Sequence, residues 1–410
     1  MLIQDFKKKL QKYAELIVKV GVNVQKDQAV VLYISITQHE LAHLIISEAY
    51  KAGASEVIVE WRDTFNDQQF LTYASEKRLE SIPDYITTKA EYIVSKKAAR
   101  ISVLSEDPNA YANIDQTRIA KNQAATGKAL LPVRKATQNN ELSWTVVGAA
   151  DIQWAKKVFP FLDEKDAVAR LWEEIFKTCR IDSKDPIAAW HEHDKNLRTK
   201  ADWLNHEQFD SLHYYSPQTD FKVGLPENHI WEAAGSFNSD NVEFMANMPT
   251  EEVFTAPDCH RIDGYIVSTK PLSYAGNILE DMKFTFKNGQ VVTATAKKGQ
   301  AVLDNLLKLP GAKSLGEVSL VPDPSPISQS GITFFNTLFD ENASDHLALG
   351  SSYPTNIQNG TTMTDNELLN HGMNVSETHV DFMVGSSSMN IDGIKKDGSV
   401  KAIFRNGDWA

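Results

Sequence analysis

A chain of 410 residues, 42% hydrophobic and 23% charged, is long enough for two or three domains with ordinary cores, which excludes a disordered or fibrous protein. Its formal charge of −12, with no cluster of Lys and Arg interleaved with aromatics, excludes a nucleic-acid surface and favours small-molecule or peptide partners. No apolar run approaches the ~20 residues of a membrane span, and Cys179 and Cys259, far apart and in no C-x-x-C, suggest neither a disulfide framework nor a thiolate zinc site, so a cytoplasmic location is expected.

Phe6, Leu10, Tyr13, Ile17 and Val20 recur at helical spacing and predict an amphipathic packing helix. "AVVLYISI" at 29–36 is a short β-branched run, followed by a helical pattern over Thr37 to Ala52, then Gly53 and a second run, "EVIVEW". That succession is a βαβ unit. "EYIVSK" at 91–96 and "SWTVVGAA" at 143–150 are the next expected strands, so the first 150 residues alternate as an open parallel α/β sheet does. Helical patterns dominate from Asp151 to Tyr215, including "EKDAVARLWEEIFKTC" and "IAAWHEHDKNLRTKADWLN". Beyond Phe221 the character becomes α+β with antiparallel sheet, because "KFTFKNGQVVTATA" and "IKKDGSVKAIFRNG" carry Asn288-Gly289 and Asp397-Gly398 turns between strand-like runs. The expected organisation is an α/β domain over 1–185 and a catalytic metal-binding domain over 186–410.

His39-Glu40-Leu41-Ala42-His43 spells H-E-x-x-H, in which two histidines on one helical face hold a zinc ion and the glutamate serves as general base. Its surroundings argue otherwise. Thr37 and Glu40 read as T-x-x-E, a capping box that would put the motif at the start of a helix, and the next segment is a parallel strand rather than one bringing a third ligand. Leu41, Leu44 and Ile45 face the packing side.

A richer donor set lies in the second half. "THVDFMVGS" places His379 and Asp381 two apart in a strand, hence on one face. "DENASDHLALGSSYP" carries Glu341, His346 and Tyr353, "SLGEVSLVP" carries Glu317, and "NMPTEEVFTAPD" carries Glu251 and Glu252. Each piece has an ordinary reading: a surface His-Asp pair, a solvated turn, a helix cap. Together they form the mixed oxygen and nitrogen set that suits a pair of divalent metals. Two-metal centres also serve amidohydrolases and phosphoesterases, so the donors alone leave the reaction open.

In order and spacing these four motifs resemble the aminopeptidase T / aminopeptidase S (PepS) family of cytosolic metallo-aminopeptidases, and the resemblance extends over essentially the whole chain, including "AVVLYI". It implies a two-domain α/β homodimer in which two divalent ions per chain, such as Co²⁺, Zn²⁺ or Mg²⁺, activate water to release N-terminal amino acids from peptides. By position it implies metal ligands at Glu251, Glu317, Glu341, His346, His379 and Asp381, with Glu317 as bridge and Tyr353 as an active-site hydroxyl for the oxyanion. Glu252 is one candidate anchor for the substrate's amino terminus, and direct coordination of the amine by a metal is the other. The family's pattern is departed from at Asp258-Cys259-His260-Arg261, and H-E-x-x-H has no counterpart among the family's metal residues.

Overall fold

The β-branched run Ala29–Ser35 takes an inner place in a five-stranded parallel sheet, where both faces are covered and nearly every position is buried. The computed structural model describes residues 4–105 and 107–410, and all statements concern those. The sheet runs Glu56–Arg62, Ala29–Ser35, Ala99–Leu104, Trp144–Gly148, Asn247–Met248, with every neighbouring pair parallel. Among the described residues no helix is long and apolar enough to cross a membrane.

The first helix, Phe6–Leu16, continues through a wider turn at Ile17–Gly21 and buries Leu10, Tyr13, Ile17 and Val20. Tyr13 meets Trp172 and Phe176 of the helix Glu164–Thr178 edge-on, and those two rings stack at 5.2 Å. Aromatic pairs of this kind add roughly 0.5–1.5 kcal/mol each beyond the area they bury. The Tyr13 hydroxyl, sealed from water, donates to the Gly148 carbonyl at 2.9 Å and ties this helix to the end of a strand.

One expected strand is a helix. "EYIVSK" falls within and just beyond the helix Asp84–Ser95, and the third strand is Ala99–Leu104 instead. Tyr92, Ile93 and Val94 are apolar neighbours that fit either element, but Ala90 and Ile93, three apart, are the positions that the helix buries. The capping box at Thr37 and Glu40 is also absent. Residues Ile36–Gln38 form a 3₁₀ turn capped by Ser35, whose hydroxyl accepts from the Thr37 amide, and the helix begins at His39 without a side-chain cap. A capping box does form at Thr364 and Glu367.

The chain divides into two units, 1–194 with 235–249 and 195–234 with 250–410. Where the sequence suggested one crossing at 185/186, the division falls inside the helix Pro186–Glu207, and a later segment returns to complete the parallel sheet. The second unit holds an eight-stranded antiparallel sheet and a separate four-stranded one. Both turn dipeptides form hairpins: Lys283–Lys287 with Gln290–Thr295, and Asn390–Ile394 with Val400–Arg405. Asn288 and Gly289 have φ of 49° and 82°, as such a two-residue turn requires.

The four-stranded sheet positions the donors. Its order is Val253–Thr255, Leu315–Leu320, His346–Gly350, His379–Met383, all antiparallel. Its middle strands are buried throughout, and the polar side chains Glu317, Ser319 and His346 are buried with them.

Candidate metal centre

Register brings the donors together. Glu317 pairs with Ala348, and Ala348 with Asp381, so the two acids share a face with only a methyl group between them. Over that small side chain the longer ones converge. His379, two residues before Asp381, lies on the same face, and His346, two residues before Ala348, completes the row. The pairing of the Glu317 strand shifts register between Leu315 and Glu317, at Gly316, and bulges of this sort re-aim side chains next to functional sites.

Three overlapping groups have donor atoms within 4.8 Å of one another: Glu252, Glu317 and His346; Glu317, His379 and Asp381; Glu341, His346 and Asp381. His346 Nε2 lies 3.0 Å from Glu252 Oε2 and 3.4 Å from Glu317 Oε1, and His379 Nε2 lies 3.5 Å from Glu317 Oε2 and 3.4 Å from Asp381 Oδ1. Glu317 therefore offers one carboxylate oxygen to each imidazole. The other nitrogen of each ring is taken by the backbone: His346 Nδ1 is 2.9 Å from the Glu341 carbonyl and His379 Nδ1 is 2.7 Å from the Ser351 carbonyl. A carbonyl can only accept, so Nδ1 carries the proton and a neutral ring turns its Nε2 lone pair inward, as a ligand must.

Electrostatics mark the place as strained without a cation. Glu317 and His346 are 5% and 1% exposed. Burial raises the pKa of Glu317, against the pull of His346 and His379, and that of Glu341 still further, with Asp381 and Glu252 adding to it. For His346 burial acts downward, but bonds to Glu252 and Glu317 outweigh it and hold the ring well above its usual value; His379 is raised to about 9 by Asp381 and Glu317 against the same burial. Asp381 Oδ1 is buried without a hydrogen bond. Four carboxylates and two imidazoles packed this way, with an orphaned oxygen among them, fit a divalent metal site by donor chemistry and by charge.

The sequence expectations fall unevenly on this geometry. Glu317, Glu341, His346, His379 and Asp381 are all in the groups, whereas Glu251 is in none. Glu252, expected at the substrate's amino terminus, is there instead: its Oε2 also accepts from the Ser319 hydroxyl at 2.9 Å. The Glu251 amide donates to Asn342 Oδ1 at 2.8 Å, which fixes the turn that delivers Glu252. Tyr353 stands at the rim, its ring 5.1 Å from that of His379.

Residues 6–409 match the family described as thermophilic metalloprotease (M29). The chain belongs to the M29 family. It is 53% identical to aminopeptidase PepS of Streptococcus thermophilus over the full length of both chains, and 49% identical to aminopeptidase AmpS of Bacillus subtilis over the same share. The solved structure of wild-type AmpT from Thermus thermophilus superposes with a TM-score of 0.91 at 37% identity, covering 99% of this chain and 100% of that one. The two-part α/β fold expected from sequence is thus the fold of an M29 structure.

In this M29 chain His39, Glu40 and His43 are exposed on the helix His39–Ala52, their two rings 6.2 Å apart, and none belongs to the metal-binding groups. The stretch that departs from the family's pattern folds as a salt-bridged turn: Arg261 Nε meets Asp258 Oδ2 at 2.8 Å and Arg261 also pairs with Asp210. Burial and Asp258 push the Cys259 thiol up to about 12, which leaves it unreactive. Ser319, Asn342 and Ala348 contribute to the site with no motif to announce them; their signal is register, which exists only once the strands are paired.

Proposed function

We propose that this chain is a metal-dependent aminopeptidase whose centre is formed by Glu252, Glu317, Glu341, His346, His379 and Asp381. The observation that carries the reading is Glu317, placed between two imidazoles with one oxygen toward each. Charge supports two ions rather than one. Ligating histidines are neutral, so the four carboxylates leave a charge of −4 that two divalent cations balance. The imidazole content favours Zn²⁺ or Co²⁺ ahead of Mg²⁺.

Such ions supply Lewis acidity, which makes water more acidic and polarises a carbonyl. The chain's residues supply placement and proton control. Ser351 and Glu341 hold the two rings by their backbone carbonyls, so that His379 and His346 present Nε2 without reorientation. Burial and the surrounding carboxylates raise the Tyr353 pKa well above its usual value, so the phenol keeps its proton at neutral pH and can donate to the oxyanion that develops on the scissile carbonyl. A donor of that kind is typically worth ~3–4 kcal/mol in the transition state. The substrates are peptides with a free amino terminus. A homodimer in a reducing cytoplasm completes the reading; the cytoplasm is supported by Cys179 and Cys259, both buried and neither in a disulfide among the described residues.

The test is metal content and aminopeptidase activity in parallel for the wild type, Glu317→Ala and His379→Ala. Two ions per chain and hydrolysis of amino-acid p-nitroanilides, but not of N-blocked peptides or p-nitrophenyl phosphate, are expected for the wild type, with both ions and turnover lost in the variants. Near-normal activity and full metal content in Glu317→Ala would remove it as the bridge.

A further inference from the structure

A fifth acid shares the face of the sheet that carries the centre. Glu232 lies outside any regular strand yet forms an isolated antiparallel bridge with Phe254, their amides and carbonyls exchanging bonds of 2.9 and 3.0 Å. Residues directly opposite in antiparallel pairing point to the same side. Phe254 is opposite Ser319, and Ser319 is opposite His346. The row from Glu232 to His346 therefore extends the metal-binding face outward by one strand spacing, ~4.8 Å, beyond Val253–Thr255.

Glu232 is in none of the metal-binding groups. Its Oε2 accepts from Thr355 Oγ1 at 2.5 Å and from Asn356 Nδ2 at 3.0 Å, both in the turn that follows Tyr353. Its Oε1 makes no hydrogen bond among the described residues. The acid is close enough to the centre to feel Glu317: burial raises its pKa, the Thr355 bond opposes, Glu317 adds and Arg198 opposes. Exposure separates two layers. Glu252, Glu317, Glu341 and His346 are buried, whereas Glu232, Phe254, Tyr353, His379 and Asp381 are half-buried and mark the mouth. Phe254 and Tyr353 meet there edge to face at 6.0 Å.

We propose that Glu232 receives the ammonium group of the peptide's first residue, with Oε2 fixed by Thr355 and Asn356 and Oε1 left to accept. The inference rests on the aminopeptidase reading above. An exopeptidase must sense a free amine, and a charge-assisted bond from a pre-positioned carboxylate is the strong way to do so. A site built around such a bond rejects an analogue that lacks the group.

The experiment compares metal-loaded wild type with Glu232→Gln, whose amide oxygen still accepts from Thr355 and Asn356 and so keeps the turn in place. Kinetics on an amino-acid p-nitroanilide are measured with metal content and with the Ki values of 3-methylbutan-1-amine and its isosteric alcohol. KM is expected to rise 10- to 100-fold with kcat within about threefold and both ions retained, while the amine loses its advantage over the alcohol. Glu232→Asp, which keeps the charge, is expected to retain that advantage in part. Unchanged KM and amine preference in Glu232→Gln would overturn the proposal, as would loss of metal or equal loss of preference in both variants. A wild type that hydrolyses no free-amine substrate would overturn the aminopeptidase reading itself, and the two failures are told apart by that control.

Discussion

Gly316 and Ser351 meet backbone to backbone: a Cβ added at Gly316 would lie 2.3 Å from the carbonyl of Ser351. That carbonyl is the one that accepts from His379 Nδ1 at 2.7 Å. Gly316→Ala is therefore expected to move the Ser351 backbone and tilt the His379 ring, weakening metal binding by about 10- to 100-fold, the usual effect of disturbing a group that orients a ligand. Overpacking of this kind costs roughly 1–3 kcal/mol, so the fold should survive. Calorimetric metal titration with a parallel thermal unfolding curve checks both, and wild-type affinity in the variant would refute the link.

Adjacent acids 251 and 252 are expected to behave differently. Glu252→Ala should lose metal and activity together, because its Oε2 stands 3.0 Å from His346 Nε2. Glu251→Ala should keep the metal, since its backbone amide, unchanged by the substitution, makes the bond to Asn342. Metal analysis of the two purified variants decides it; the reverse pattern would restore Glu251 as the ligand.

His39→Ala and His43→Ala should leave activity within about twofold and stability within about 0.5 kcal/mol, as exposed substitutions away from special features do. Both side chains are exposed and outside the metal-binding groups. Loss of an ion in either variant would move a metal to the helix His39–Ala52.

Glu207 gives a pH signature. Hydrogen bonds from Lys395 and then Lys401, at 2.8 and 2.6 Å, hold its carboxyl at about 2, below the ordinary 4.5. A depressed folded pKa stabilises above the unfolded value and loses that contribution as pH falls through the folded one. The window here is therefore pH 4.5 down to 2. Both lysines are half exposed, so the contribution is about 1 kcal/mol rather than the full shift. The difference in unfolding free energy between wild type and Glu207→Gln should be constant from pH 7 to about 5.5 and vanish near pH 2; a gap that persists there would exclude the ion pairs as its source.

Much of the fold was legible because period and turn chemistry agreed. Asn288, Gly289 and Gly398 take the positive φ that their turns need, and the hairpins follow. "EYIVSK" fits strand and helix alike, because three consecutive apolar residues carry no period of their own; the flanking Ala90 decides for the helix, and Ala99–Leu104, broken by Arg100 and Ser102, hides a strand. At the centre, the expected donors Glu317, Glu341, His346, His379 and Asp381 fall in the candidate groups, and the address that sequence leaves open is 251 or 252. Glu251 and Glu252 are chemically identical, and only the turn fixed by Asn342 determines which one meets His346. Thr37 does not cap the helix because it lies within the 3₁₀ turn Ile36–Gln38, which Ser35 caps instead. Glu232 carried no signal, since its place depends on a single bridge to Phe254.

Both imidazoles of the centre are oriented by main-chain carbonyls, those of Glu341 and Ser351, rather than by carboxylate side chains. A point mutation can delete a side chain but not a carbonyl, so no single substitution at the orienting positions removes the orienting group. Mutational vulnerability moves instead to places where the main chain itself can be displaced. Gly350 is one: with φ of 110° and the Thr378 carbonyl 2.2 Å from where a Cβ would stand, it pairs directly with His379. A library screened for lost activity should accordingly collect its hits beyond the ligands at glycines, and tolerate at the buried position 351 other small residues whose backbone holds the same path.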